Sequence, residues 1–341
     1  MPIEKILVIQ TAFIGDAVLT LPMIQFLANN FSRCVIDVIA IPSTAEVFSA
    51  SPFVNEVIVI DKKYEHKSLW SILKIARTIS AKNYTRIYSP HRSFRTSLIV
   101  LLSNVKETYG FSNSSIKHVY KTIIDYRYDF HEVRRNLELA GLRTDANNWK
   151  ILPMINSSSE VIRKTDDIIA AKNLHDFIVI APGSVWATKR YPEEYFKYLV
   201  DYFIQIKKTV VLLGSKEDFG ICNSLSSNSN DVFNLAGELS LVESIELLKK
   251  AKLLICNDSA PTHLGMCANI PVVTIYCSTI SQFGFYPYSD KSQYIGLDDL
   301  NCKPCGIHGH HECPLGNFDC GKKLPPQKII SLIEKILNNE S

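Results

Sequence analysis

The chain has no run of about 18 apolar residues, the length a bilayer-crossing helix needs, so no segment is expected to span a membrane. Its start lacks the basic residues, apolar stretch and small-residue cleavage site of a secretory signal, which predicts a cytoplasmic protein. An excess of one charge is also missing. The 37 Lys and Arg nearly balance 34 Asp and Glu, and a net +3 is too small for a dedicated nucleic-acid binder. No G-x-G-x-x-G follows the first strand. Thr11-Ala12-Phe13-Ile14-Gly15-Asp16 stands there instead, which argues against a nicotinamide dinucleotide. No D-x-D pair is present to chelate a metal–diphosphate complex, so a catalytic metal is not expected.

What is present is an ordinary globular composition, 46% hydrophobic and 21% charged, in 341 residues, long enough for two domains. Apolar runs at 6–9, 35–39, 57–60, 86–88 and 107–109 read as strands, separated by helical patterns at 17–29, 68–81 and 93–103. At 153–165 the pattern gives way to Pro, Asn and Ser157-Ser158-Ser159, which reads as a linker. Alternation then restarts, with strands at 177–181, 209–213, 253–256 and 271–276 and helices at 193–206 and 241–251. Two such halves predict an α/β fold of two doubly wound domains. Between residues 86 and 135, nine Lys or Arg stand against four acids, a net +5 that leaves −2 elsewhere. Arg92, Arg95, Lys117, Lys121, Arg127, Arg134 and Arg135 are expected to form a basic surface on the first half.

Nine cysteines in a chain without a secretory start are expected to be reduced. Cys34, Cys222, Cys256, Cys267 and Cys277 read as small core residues. Cys302, Cys305, Cys313 and Cys320 cluster among His308, His310 and His311. That is a zinc-ligand inventory, but the spacing is looser than the paired C-x2-C of a zinc ribbon. Reduced thiols are favoured over a structural zinc site, and zinc over local disulfides.

Several loops carry chemistry. Asn257-Asp258-Ser259-Ala260-Pro261 joins the strand at 253–256 to a helix. Asp258 or Ser259 could cap that helix, and Pro261 suits its first turn. A parallel strand feeding a helix N-terminus also presents N–H groups and a dipole to a phosphate. In 181–192, Gly183 and Ser184 permit close backbone approach. Lys189 offers a charge to a departing diphosphate, unless Lys189-Arg190 is only a solvated pair. Glu217, after another strand, suits a ribose hydroxyl. Asp16, where the first turn becomes a helix, is either a capping carboxylate or a base for a hydroxyl proton. His91-Arg92-Ser93-Phe94-Arg95-Thr96-Ser97 opens a helix with two cations, either solvated or facing an anion.

These pieces occur in an order that resembles glycosyltransferase family 9, the bacterial heptosyltransferases, and more their heptosyltransferase II branch. Asp258, Ser259, Ala260 and His263 stand on the family's D-[ST]-[GA]-x-x-H donor motif, and Gly15-Asp16, Arg92 to Thr96, Lys189 and Asn234-Leu235-Ala236-Gly237 extend the match. The resemblance implies a GT-B architecture, two Rossmann-like doubly wound parallel-sheet domains facing a central cleft. Residues 1–156 would bind the acceptor and 157–325 the nucleotide-sugar donor, with a last helix at 326–341 packing back onto the first domain. It implies Asp16 and Lys189 as catalytic residues. On the donor side it places Ser184, Thr188, Lys189, Glu217, Leu239, Asp258, Ser259, Ala260 and His263, and on the acceptor side Gly15, Arg92 and Arg95. The activity implied is inverting, metal-independent transfer of L-glycero-D-manno-heptose from ADP-heptose to the inner core of lipopolysaccharide, onto Kdo or heptose carried by lipid A. Such a protein would be a monomer touching the cytoplasmic face of the inner membrane. An inactive sugar-nucleotide scaffold, or a family transferase using another nucleotide sugar, is the alternative.

Overall fold

The structure, a computed structural model, describes residues 3–62, 68–226 and 229–338. Its contacts divide the chain into two units, Met1–Asn156 and Ser157–Ser341.

In the first unit, strands β1 (Glu4–Ile9), β2 (Cys34–Ala40), β3 (Glu56–Val59), β4 (Arg86–Ser89), β5 (Glu107–Phe111) and β6 (Thr122–Ile124) form one sheet in the order β3-β2-β1-β4-β5-β6. Every pairing is parallel. β1 lies between β2 and β4, and Ile6, Leu7, Val8 and Ile9 are fully buried, which is why it reads as a continuous apolar run and not an alternation. Helices α1 (Ile14–Asn30), α2 (Pro42–Ser49), α3 (Leu69–Ala81), α4 (Phe94–Leu102) and α5 (Glu132–Leu139) complete the unit.

α5 corrects the basic-surface expectation. Arg135 is 2% exposed and paired with Glu132 at 2.8 Å, and it donates to the main-chain oxygens of Arg127 and Tyr128. Lys121 pairs with Glu107, Arg127 with Asp129, and Arg134 with Glu138. Four of the seven cations expected on that surface are therefore paired with acids, and Arg135 lies inside.

The second unit contains α6 (Ser159–Ala171), β7 (Ile178–Ala181), α7 (Glu193–Gln205), β8 (Val210–Leu212), α8 (Phe219–Ser226), β9 (Val232–Asn234), α9 (Leu241–Leu248), β10 (Leu253–Asn257), α10 (Ala260–Ala268), β11 (Val272–Tyr276), β12 (Gln293–Gly296), α11 (Asp319–Lys322) and α12 (Pro326–Asn338). Its all-parallel sheet runs β12-β11-β10-β7-β8-β9, so both units share one strand order, 3-2-1-4-5-6 within each.

Two expectations change here. The stretch 153–165 is not all linker, because α6 begins at Ser159 and Ser158 accepts a hydrogen bond from the Val161 N–H as its N-cap. The last helix belongs to the second unit. Ile329, Ile333 and Ile336, spaced to share one helix face, are buried in a core with Phe196, Leu199 and Phe203 of α7. Tyr191 donates its hydroxyl to the Leu324 carbonyl at 2.6 Å just ahead of it. Residues 339–341 of the expected helix lie outside the described residues.

Candidate active site

In a doubly wound sheet, ligands sit beyond the carboxyl ends of the strands where the strand order reverses. That point falls between β1 and β4 in the first unit and between β7 and β10 in the second. The loops leaving these four strands and the first turns of the helices they enter carry Asp16, Arg92 and Arg95, and Ser184, Lys189, Asp258 and Ser259.

At the second-unit switch point, Asn257 staples the two loops. Its side chain donates to the Pro182 carbonyl at 2.7 Å and accepts from the Tyr191 N–H at 2.9 Å, and it is fully buried. Lys189 then reaches Asp258, with Nζ 2.7 Å from Oδ2 and side-chain exposures of 14% and 9%. The same oxygen accepts from the Thr279 hydroxyl at 2.6 Å. Asp258 is therefore not the cap of α10. Ser259 occupies the N-cap position without a side-chain cap bond, its hydroxyl lying 3.4 Å from the Gly183 carbonyl and 3.3 Å from that of Asn257. The Asp258 carboxylate is taken up by Lys189 and Thr279, and the start of α10 has no side-chain cap from Ser259.

Among the described residues, three buried polar atoms around this pair have no hydrogen-bond partner: His263 Nδ1, Tyr276 Oη and Ser278 Oγ. Buried polar groups are rarely left unpaired, so their gathering at one switch point marks a place built for a polar ligand. Burial pushes the His263 imidazole down to about 4, which keeps it neutral near pH 7. Gly183 is required by packing, since a Cβ there would stand 2.1 Å from Asp218 Oδ1. Asp218 also accepts from the Ser215 N–H and hydroxyl at 2.9 and 2.8 Å, so it organises the loop after β8. Glu217 beside it is exposed, and main-chain N–H bonding holds its carboxyl below the ordinary range. Leu239 is half-buried in the turn before α9, and Ala260 opens α10. Thr188 is buried and hydrogen-bonded to the main chain of His310, so its hydroxyl is already engaged. Asn257, Asp218 and Thr279 were not singled out in the sequence, although an Asn directly before the Asp258 loop is a readable signal.

At the first-unit switch point, His91 joins the loops, with Nδ1 2.9 Å from Thr11 Oγ1 and 2.7 Å from Thr96 Oγ1. Burial pushes this imidazole down to about 3, so it is neutral. Asp16 stands in the first turn of α1 beside Gly15, both partly covered. Protein packed around its carboxyl, and then the charge of Glu132, raise it to about 7, with Arg92 and main-chain N–H groups opposing. The Arg92 guanidinium lies 4.1 Å from the centre of the Tyr126 ring. Lys62, missed in the sequence, donates to the Thr11 carbonyl at 2.7 Å, and burial followed by Arg95 lowers it to about 8. Phe13 and Phe94, which begin or precede the helices here, are 61% and 57% exposed.

The four clustered cysteines are free thiols, as are the other five, and they line one cavity of about 280 Å3. Among the described residues no three His, Cys, Asp or Glu side chains are grouped to hold a metal ion. Also among the described residues, no helix is long and apolar enough to cross a membrane.

Two Rossmann-like units of one strand order, with charged loops at both reversals, define the GT-B class of glycosyltransferases. The chain belongs to glycosyltransferase family 9 (heptosyltransferase), whose sequence profile matches residues 72–316. It is 24% identical over 358 residues to lipopolysaccharide heptosyltransferase 2 of Escherichia coli K12, covering 98% of this chain and 99% of that protein. Among solved structures, E. coli ADP-heptose lps heptosyltransferase II superposes with a TM-score of 0.80 at 22% identity, covering 98% of this chain and 99% of that one. The glycosyl transferase family 9 protein of Veillonella parvula superposes with a TM-score of 0.83 at 21% identity, covering 98% and 97%.

Proposed function

We propose that this glycosyltransferase moves heptose from ADP-heptose to the inner core of lipopolysaccharide, with inversion at the anomeric carbon and without a metal ion. The observation that carries the reading is the Lys189–Asp258 pair at the second-unit switch point, among unpaired buried polar atoms and an uncapped helix start. The relatives named above supply the donor and the acceptor class.

In this mechanism the acceptor hydroxyl attacks the anomeric carbon on the face opposite the diphosphate. A new C–O bond forms as the bond to the diphosphate oxygen breaks, and the hydroxyl proton passes to Asp16. Negative charge gathers on the departing diphosphate. Lys189, the Ser259 hydroxyl and the N–H groups opening α10 stabilise it, the electrostatic contribution that usually dominates. Asp258 keeps Lys189 aimed. Neutral His263, Ser184 and Thr188 shape the pocket, and Glu217 and Leu239 face the nucleoside. Gly15, Arg92 and Arg95, with Lys62, serve an anionic acceptor, and exposed Phe13 and Phe94 among these cations suit a lipid-held substrate at the cytoplasmic membrane face. The thiols of Cys302, Cys305, Cys313 and Cys320 take no part in the transfer.

Purified protein incubated with ADP-heptose and a lipid A-linked acceptor should release ADP and yield a heptosylated acceptor by mass spectrometry. Binding of ADP without turnover of any ADP-sugar would instead mark an inactive scaffold. Arg92→Ala and Arg95→Ala should each raise the KM for acceptor while ADP affinity stays unchanged, because cations at the surface of the acceptor side act mainly by salt-sensitive attraction on an anionic substrate. A rise confined to the donor KM would reassign them.

The pH dependence follows from Asp16. A base must be deprotonated, so kcat/KM should climb with pH through about 7 and level off above, and this limb should vanish in Asp16→Asn. The effect on stability has the opposite sign. Between the ordinary carboxyl value and about 7 the unfolded chain loses its proton first, so ionisation of Asp16 progressively costs stability as pH rises through that window. Wild type should lose more stability than Asp16→Asn between pH 4 and 8, read as Tm against pH.

A further inference from the structure

We propose that Gly309 and His310, carried on the cysteine-bearing stretch 302–320, position Lys189 through Thr188. This rests on the catalytic reading of Lys189 given above. Lys189 ends a three-residue 3-10 segment, Ala187–Lys189. Such a short turn has poor internal hydrogen bonds and does not fix a side chain by itself. Thr188 is 4% exposed, and residue 310 takes up its polar groups from across 122 residues of sequence. The Thr188 N–H donates to the His310 carbonyl at 3.1 Å, and the Thr188 hydroxyl accepts from the His310 N–H at 2.8 Å. That hydroxyl also lies 3.2 Å from the same carbonyl.

Gly309 lets the strap lie close against Thr188 and Ser278. Its φ is +79°, and a Cβ there would stand 2.8 Å from Thr188 Oγ1, 2.9 Å from Ser278 Oγ and 3.4 Å from Lys189 Cγ. A larger residue would be strained in backbone and would crowd the hydroxyls of Thr188 and Ser278.

The strap is itself tied down. Lys303 Nζ donates to the carbonyls of Tyr276 and Leu297 at 3.1 and 2.8 Å, and the Cys305 N–H donates to the Ser278 carbonyl at 2.8 Å. On the other side, Trp186 lies 4.9 Å from the His311 ring and 6.1 Å from that of His308, centre to centre. Lys189 is thus held by Asp258 at the ammonium, while the strap fixes Thr188, the residue just before it in the chain. A residue whose charge must meet a developing diphosphate gains from being held before the substrate arrives.

The test is Thr188→Val, which keeps the shape and removes the hydroxyl, against Thr188→Ser, which keeps the hydroxyl. The valine variant should lose about 10- to 100-fold in kcat with ADP affinity within about twofold of wild type, and serine should restore most of the rate. A merely structural role would lower Tm without splitting kcat from ADP affinity. The second readout needs no transfer activity: competitive acetylation with acetic anhydride, quantified lysine by lysine by mass spectrometry. Lys189 should become several-fold more reactive in Thr188→Val while the other lysines stay as they were. If wild type does not transfer heptose, the functional reading fails, and the labelling still decides the positioning role. Wild-type kcat in Thr188→Val, or unchanged Lys189 reactivity, overturns the proposal. If Thr188→Val does not accumulate as folded protein, Gly309→Ala carries the same two readouts.

Discussion

Asp16→Asn is expected to lose roughly 100- to 10,000-fold in transfer rate while keeping its fold and its affinity for ADP, the range usual for removal of a general base. Asn matches Asp in size and can still bond to main-chain N–H groups at the helix start, but it cannot accept a proton at neutral pH. The surroundings favour the chemical role. A carboxyl held near 7 by the protein packed around it and by Glu132 is matched to proton transfer at neutral pH, whereas a residue that served only to cap a helix would gain nothing from so unfavourable a setting. Losing a helix cap costs about 1 kcal/mol of stability and little rate. Single-turnover transfer, ADP calorimetry and Tm together separate the two. Near-full activity in Asp16→Asn, with only Asp16→Ala less stable, would make Asp16 a capping residue and send the search for the base elsewhere.

Lys189→Ala is expected to cost about 100- to 1,000-fold in kcat, the magnitude typical for removal of one preorganised group facing developing charge. Two effects add. The cation is lost, and Asp258, still accepting from Thr279, is left as a carboxylate without its lysine beside the diphosphate. The loss should fall more on kcat than on donor affinity, because the ammonium interacts more strongly with a diphosphate gaining charge than with the bound donor. Asp258→Asn should be milder. It frees Lys189 from its partner but keeps the positive charge, so the fall reflects lost aim and not lost attraction. An unchanged kcat in Lys189→Ala would retire the proposed role, and a fall seen only in donor KM would make Lys189 a binding residue.

The alternation of strands and helices was legible in the sequence, because a strand buried on both faces and an amphipathic helix each impose a local pattern on neighbouring residues. So was the position of the candidate loops, since Gly15-Asp16, Arg92 to Thr96, Lys189 and Asp258-Ser259 each follow a readable strand. α5 was not legible, because its charged residues are buried as the Glu132–Arg135 pair, and a pattern of polar residues does not reveal that they satisfy one another. Ser157 to Ser159 misled for a local reason: serine is favoured both in loops and at helix N-caps, and only the Val161 N–H shows which applies. α12 was legible as a helix but not in its destination, because an apolar stripe states that it will be covered and not by what. The choice of Asp258 between capping α10 and holding Lys189 depends on residues 69 positions apart in the chain. Thr188, which reads as a donor contact, is also held by His310 across 122 positions. The central strands, the longer helices and the kinds of residue in each loop could be read locally, because these follow from backbone preference and nearest neighbours. Tertiary structure alone decided which charges neutralise one another, which carboxyl is raised toward neutrality and what holds the lysine in place. Those outcomes depend on burial and on partners that the fold brings together from distant parts of the chain.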